Sequence, residues 1–153
     1  MMMRFTKRYE SVQFLILLLM GLMLVGCSDL EMTMKSAEKG NAIAQDKLGN
    51  MYSKGIRVPV DFKQAVTWWG KAAEQGVASS QANLAFMYYR GDGVQKNNVL
   101  AYAWLSIAAA AKGQNNDAED AMNLVAMSLT PEQLKQAETV ALELQAKISR
   151  RKP

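Results

Sequence analysis

The sequence predicts an all-α fold, a short α-solenoid of antiparallel helix pairs with about six helices after an N-terminal signal peptide. Two observations lead to this prediction. The 153-residue chain resembles itself when it is shifted by 36 residues, and each unit carries apolar side chains at helical spacing between helix-capping residues. Half of the residues are apolar, so one domain of this length can bury a substantial core.

The first 26 residues have the pattern of an export signal. Three basic side chains open the chain, and a twelve-residue apolar run follows at 14–25, whereas a membrane-spanning helix needs about 20 residues. The run ends in Leu24-Val25-Gly26-Cys27, which resembles the lipobox of bacterial lipoproteins. That resemblance implies cleavage before Cys27, the only cysteine, and attachment of a lipid to it. The alternatives are a plain secretory signal that is cut elsewhere and an ordinary buried cysteine.

The same resemblance suggests where the protein resides. Lipoproteins retained at the inner membrane of Gram-negative bacteria have an aspartate directly after the acylated cysteine, whereas this chain has Ser28, with Asp29 one position later. We therefore expect a bacterial envelope protein that is lipid-anchored to the outer membrane and faces the periplasm. Exposure on the cell surface is the alternative.

The first helix of the repeat is indicated by a stripe of apolar residues. Ala44, Leu48, Met51 and Tyr52 recur at i, i+4, i+7 and i+8, and Gly55 follows where a left-handed residue would end a helix. The shift by 36 residues superposes this segment and the one after it on identical residues, namely Gln45 on Gln81, Leu48 on Leu84, Met51 on Met87, Tyr52 on Tyr88, Gly55 on Gly91, Ala65 on Ala101 and Trp68 on Trp104.

The second helix of the repeat begins at an N-capping side chain, Asp61 in the first unit and Asn97 in the second. In the first unit this helix ends before Gly76, and its expected buried stripe is Ala65, Trp68, Ala72 and Ala73. The small alanines let helices approach closely. We expect Trp68 and Trp104 to fill the remaining gaps as core residues.

Two further segments flank the repeats. Residues 32–40 match the end of a second helix and predict a truncated capping helix, while residues 115–128 predict a third helix of the first type. A last helix is expected from Thr130 to about Ile148, with Pro131 in its first turn and Gln133 completing a capping box. The predicted organisation is a signal peptide at 1–26, an acylated N-terminus with a short tether or partial capping helix at 27–36, repeats at 37–113, and capping helices with a basic tail at 114–153.

The repeated motifs resemble those of a known family. The patterns A-Q-x-x-L-G-x-M-Y-x-x-G at 44–55, W-W-x-K-A-A-E-Q-G at 68–76, G-D-G-V at 91–94 and A-W-L-x-x-A-A-A-x-K-G at 103–113 are similar to the Sel-one-like repeat family, a branch of the tetratricopeptide solenoids. Arg57 and Ala85 depart from the family pattern, since each stands where a glycine is usual. The resemblance implies an adaptor or binding scaffold whose concave surface is lined by the first helix of each pair.

Positions that differ between the two repeats predict a contact surface, because shared positions mostly serve the fold. Asn50 and Lys54 are expected to face the groove, and their equivalents in the second repeat are Phe86 and Arg90. Tyr89 lies beside both on the same helix, and aromatic residues with arginine are enriched in binding hot spots. We therefore expect these five residues to bind an unidentified envelope protein or peptide. The alternative is that the helix at 115–128 packs over Phe86.

The distribution of charge argues against a nucleic-acid partner. Residues 27–153 hold 15 basic and 13 acidic side chains, and four of the basic ones lie in the last seven positions. The body of the protein therefore has no basic stripe of the kind that binds phosphates. The basic tail is expected to be a frayed, solvated helix end, with contact to anionic lipid as the alternative.

The composition also limits catalysis. The chain has no histidine and one cysteine, which excludes Ser/His and Cys/His nucleophile pairs, histidine metal ligands and thiolate clusters. We expect no cofactor, no metal site and no enzyme activity. The alternative is an envelope hydrolase, or a β-lactam-binding or β-lactamase-like enzyme on the same fold, with Asp117, Glu119 and Asp120 as candidate acids. Their place in the first turn of a helix favours a structural role.

Overall fold

The computed structural model describes residues 29–111 and 116–151, and within them the chain is helical without a strand. Its helices are α1 at 29–38, α2 at Ala42–Lys54, α3 at Phe62–Ala73, α4 at Ala78–Arg90, α5 at Asn98–Ala109, α6 at Asn116–Ala126 and α7 at Pro131–Arg151. The all-α solenoid is confirmed, with seven helices because residues 29–38 form a complete helix. The signal peptide and Cys27 lie outside the described residues. None of the described helices combines the length and apolar character of a membrane span.

The helices stack as two pairs between terminal caps. Helix α2 packs along α3 and α4 along α5, while α3 packs against α4 and so joins the pairs. The larger core lies among α3, α4, α5 and the C-terminal helices, with Trp69, Leu84, Trp104 and Leu105 among its buried residues. A smaller cluster joins α1 to α2 through Ala37, Ala44, Leu48 and Met51. Each repeat thus buries most of the apolar stripe that its spacing predicts, while Tyr52 and Trp68 are only half-buried.

The predicted helix ends of both pairs are confirmed. Asp61 and Asn97 each accept a hydrogen bond at 3.0 Å from the backbone N–H three residues later, as N-capping side chains do. Gly55 and Gly91 end α2 and α4 in the left-handed conformation, with φ of 68° and 80°. Both pairs therefore turn at equivalent positions.

Arg57 takes the backbone conformation of the glycine that it replaces. Its φ is 63°, close to the 69° of Gly93 in the second loop, and among the described residues no other non-glycine has a positive φ. A side chain in this region costs about 1 kcal/mol. Gly93 is more restricted, because a Cβ there would lie 2.4 Å from the backbone carbonyl carbon of Phe62. The departure from the family pattern at Arg57 leaves the loop conformation intact.

The prediction that Trp68 is a core residue is wrong. Trp68 is half-buried beside the smaller cluster, with the Lys71 ammonium 4.2 Å from its ring centroid, whereas Trp69 is only 3% exposed. Trp104, the equivalent of Trp68, is buried as predicted. The two environments differ because α5 is covered by α4, α6 and α7, while α3 packs mainly on α2 and α4.

Trp69 is accommodated by a glycine on the facing helix. A Cβ at Gly49 would lie 2.5 Å from the Trp69 ring, closer than a carbon atom can approach. At the equivalent positions the second repeat has Ala85 and Leu105, and both are fully buried. In each repeat a larger residue on one helix accompanies a smaller one on the other, because closely packed helices leave a limited volume between them.

Helix α7 begins with the predicted capping box. The Gln133 N–H donates to Thr130 Oγ1 at 3.2 Å, and the Thr130 N–H donates to Gln133 Oε1 at 3.0 Å. The helix then packs along α5 through a stripe in which Ala137, Ala141 and Ile148 are buried. The predicted start and capping box of this helix are both confirmed.

The basic tail is helical through Arg151, the last described residue, and tied to the body, contrary to the prediction of a frayed end. Helix α7 continues past Ile148 to Arg151. Lys147 and Arg151 donate to the Glu74 carboxylate, at the end of α3, at 2.9 and 2.7 Å. These two ion pairs join the end of α7 to the end of α3.

We predict that Gly49→Ala destabilises the protein by about 1–3 kcal/mol, because the added methyl group overlaps the Trp69 ring. Trp69→Leu in the same background should recover part of this loss, since the pair then matches Ala85 and Leu105. Urea unfolding of both single variants and the double variant measures the coupling, which we expect to be about 0.5–3 kcal/mol. Strictly additive effects of the two substitutions on the free energy of unfolding would contradict a direct contact between positions 49 and 69.

Glu74 is predicted to stabilise the fold at neutral pH and to lose this effect in acid. The hydrogen bond from Lys147, followed by that from Arg151, holds the pKa of the Glu74 carboxyl below its ordinary 4.5, although partial burial opposes the shift. A carboxyl with a lowered pKa stabilises the folded state above its unfolded pKa, and the contribution disappears as the pH falls through its folded pKa. Glu74→Gln should therefore lower the free energy of unfolding at neutral pH by less than about 1 kcal/mol, since the pair is partly exposed.

Chemical unfolding at a series of pH values tests whether the Glu74 carboxylate stabilises the fold in this pH-dependent way. The difference between wild type and Glu74→Gln should shrink steadily as the pH falls below 4.5. Glu38→Gln is the matched control, because Glu38 holds the same place at the end of α1, is exposed, and forms no ion pair with another described residue. An effect of Glu74→Gln that does not change with pH, or an equal effect of the control, would refute the role of the ion pairs.

Candidate partner-binding surface

Positions that the repeats share serve the stacking of helices. The Gln45 side-chain amide donates to the Ala37 carbonyl at 2.9 Å, and Gln81 repeats this buried bond to Ala73 at 3.1 Å. The predicted contact residues lie elsewhere on α2 and α4, at positions where the repeats differ. We refer to them together as the α2–α4 face, which consists of Asn50, Lys54, Phe86, Tyr89 and Arg90.

Phe86 is the apolar centre of the α2–α4 face. Its side chain keeps 41% of its surface exposed in the second half of α4. Helix α6 packs on α5 and leaves Phe86 exposed, contrary to the alternative in which the helix at 115–128 covers it. The first repeat has Asn50 at the equivalent position, so the repeat does not require an aromatic residue there.

Tyr89 and Arg90 lie next to Phe86 but differ in burial. The Tyr89 ring packs partly against the larger core, and the Lys96 ammonium lies 5.4 Å from its centroid. Arg90 is exposed, with its Nε 2.8 Å from a carboxylate oxygen of Asp92. Tyr89 therefore supports the fold as well as the surface, whereas Arg90 presents most of its guanidinium group to solvent.

The α2 half of the face is polar. Asn50 Nδ2 donates to the Asp46 carbonyl at 2.9 Å and to the Asp46 carboxylate at 3.1 Å. The same carboxylate accepts hydrogen bonds from Ser79 and Ser80 at the start of α4. Lys54 is exposed in the last turn of α2. Three of the predicted residues thus lie on α4 and two on α2, and Asp46 links the two helices.

The acidic residues of α6 do not form a convergent site in the part of the chain that the structure describes. Asp117, Glu119 and Asp120 are all exposed at the beginning of that helix, where negative charge is favourable. No group of three metal-ligating side chains converges within residues 29–111 and 116–151. Ser128 Oγ accepts from Asn98 and donates to the Val125 carbonyl, which makes it part of a helix end.

Sequence reasoning missed an ion-pair cluster at the N-terminal end of the stack. The Asp29 carboxylate accepts a hydrogen bond from Lys47 Nζ at 3.1 Å and another from Arg57. The Lys47 hydrogen bond is the main cause of the lowered pKa of the Asp29 carboxyl. The partners are 18 and 28 positions away along the chain, so no local pattern reveals their contact.

The chain is similar to known repeat proteins. The family model described as Sel1 repeat matches residues 42–77 and 78–112. A protective antigen present in uropathogenic Escherichia coli strains, which displays an SLR fold, is 35% identical over 79% of this chain, with a TM-score of 0.72. A Sel1 repeat protein from Oxalobacter formigenes is 38% identical over 61% of this chain, with a TM-score of 0.58. The chain covers only 27% and 26% of these two structures. No curated protein matches the sequence.

The matched units coincide with the helix pairs. One begins at Ala42, the first residue of α2, and the other at Ala78, the first residue of α4, so each unit contains one pair. The family resemblance drawn from the motifs is confirmed. The chain therefore contains two Sel1 repeats, at 42–77 and 78–112, whose helix pairs stack in an α-solenoid.

Proposed function

We propose that this protein is a scaffold that is anchored to the bacterial cell envelope by a lipid on Cys27 and binds a partner protein through the α2–α4 face. Sel1-repeat proteins are generally scaffolds for protein interaction. The leader and the lipobox-like ending at Cys27 support export and anchoring, and Ser28 favours the outer membrane with the repeats in the periplasm.

The exposure of Phe86 is the observation that carries the binding proposal. Burying an aromatic ring at an interface contributes more than most contacts, and a neighbouring arginine supplies a directional polar bond. Phe86 and Arg90 lie one helical turn apart and are exposed, and on α2 Lys54 is exposed and Asn50 half-buried. An apolar centre with a polar surround is the usual arrangement of a protein-binding surface.

Cys27→Ser tests the anchor. Because the lipid is attached to the cysteine thiol before the signal is cut, the variant should accumulate as an uncleaved precursor that incorporates no labelled fatty acid. The measurement is metabolic labelling with fatty acid together with the mobility of the protein on a gel. Normal processing of Cys27→Ser would show that the signal is cut in another way.

A photo-crosslinking amino acid at position 86 tests the binding surface in living cells. We expect a discrete crosslinked product from position 86 and none from position 142, because Leu142 is also an exposed apolar residue but lies on α7. Arg90→Glu should reduce the product several-fold and lower the melting temperature only slightly, since Arg90 is exposed and its surface ion pair with Asp92 contributes little. Equal crosslinking from both positions, or no effect of Arg90→Glu, would contradict a specific partner on this face.

A further inference from the structure

We propose that the loop at 55–62, which we call the first-repeat loop, docks on the surface of the membrane beside the lipid anchor. The inference rests on the proposed acylation of Cys27 and adds a second contact between the protein and lipid. Three observations carry it: the position of the loop, the side chains that it exposes, and the difference between this loop and its equivalent in the second repeat.

The first-repeat loop lies next to the point where the lipid would be attached. Asp29 follows Cys27 by two residues, so their Cα atoms lie within about 7 Å of each other whatever the conformation between them. Arg57 pairs with Asp29, and Ile56 lines a shallow cleft together with Asp29 and Lys47. An acyl chain inserted in the bilayer therefore brings this loop to the membrane surface.

The loop exposes apolar side chains with cations among them. Ile56, Val60 and Phe62 are 48%, 55% and 38% exposed. The exposed cations Arg57 and Lys63 lie within or directly beside the loop, together with the exposed carboxylate of Asp61. Apolar side chains that enter the boundary between headgroups and acyl chains, with basic residues at the headgroups, are typical of protein segments that lie on membranes.

The second repeat provides an internal comparison. Its loop has the same backbone bond that closes the first: the Asp61 N–H donates to the Tyr52 carbonyl at 3.0 Å, and the Asn97 N–H donates to the Tyr88 carbonyl at 2.8 Å. The side chains nevertheless differ in kind, with Asp92 in place of Ile56, Lys96 in place of Val60 and Asn98 in place of Phe62. The loop conformation therefore does not require the apolar residues, and the copy next to the anchor is the one that has them.

The first-repeat loop is also held rigidly for such a contact. Val58, in its middle, packs against the smaller core cluster, which Leu30 and Met34 of α1 also join. Its backbone is closed by the bond from Asp61 and fixed at one side by the Arg57–Asp29 ion pair. Docking on lipid would then require little ordering of the loop, which favours binding.

The test uses the full-length acylated protein in vesicles of phosphatidylethanolamine and phosphatidylglycerol. Val60→Cys and Lys96→Cys each place one thiol at the equivalent position of the two loops, and an environment-sensitive fluorophore on that thiol reports contact with lipid. We expect emission at shorter wavelength from position 60 and several-fold stronger quenching by brominated lipid there than at position 96. Equal quenching at the two positions would overturn the proposal. A shift of the emission at position 60 that requires added envelope proteins and is absent in pure lipid vesicles would also overturn the proposal, because it would indicate a protein partner.

The parent chain distinguishes this result from a failure of the anchor. Acylation blocks the Cys27 thiol, so the parent protein should take up no fluorophore. An unlabelled parent combined with equal quenching at 60 and 96 overturns the loop proposal alone. A labelled parent shows that Cys27 carries no thioether-linked lipid, which overturns the anchor and this inference together.

Discussion

A buried glutamine at each junction between helix pairs controls how this solenoid stacks. A buried side-chain amide is unfavourable unless an acceptor reaches it, and a carbonyl at the end of a helix can serve as that acceptor. Gln45 and Gln81 donate to the carbonyls of Ala37 and Ala73, which also accept the backbone N–H groups of Gly40 and Gly76 at 3.0 Å, and Gln75 adds a hydrogen bond of 2.7 Å to the Gln45 side-chain oxygen. Because each amide donates to one particular carbonyl, it fixes the register between a helix pair and the helix that precedes it.

With this register fixed, the two repeats can differ only in limited ways inside the stack. Ala65 and Ala101 are both fully buried at equivalent positions, and the change from Gly49 to Ala85 accompanies the change from Trp69 to Leu105. Outside the stack there is no such constraint. In the two surfaces proposed here, the α2–α4 face and the first-repeat loop, the exposed side chains stand at positions where the repeats have diverged while the backbone has not.

Features that depend on neighbours within a few residues could be predicted from the sequence, and features that depend on distant elements could not. The caps at Asp61 and Asn97 are of the first kind, whereas comparing the repeats marks Phe86 as a contact candidate but leaves open whether the helix at 115–128 covers it. Trp68 shows the limit, because helical spacing identifies a face of α3 but not which helices cover it. The pairing of Glu74 with the end of α7 and that of Asp29 with Arg57 join segments that have no pattern in common.

Helix α7 determines which parts of the protein unfold together. In a plain repeat array each unit contacts only its neighbours, so terminal units can open while the rest stays folded. Here the last helix starts after α6, packs along α5 and reaches Glu74 at the end of α3, which joins residues 74 and 151 across the entire second repeat. Neither the C-terminal cap nor the second repeat can open without disrupting the other. These parts of the chain should therefore behave as one cooperative unit.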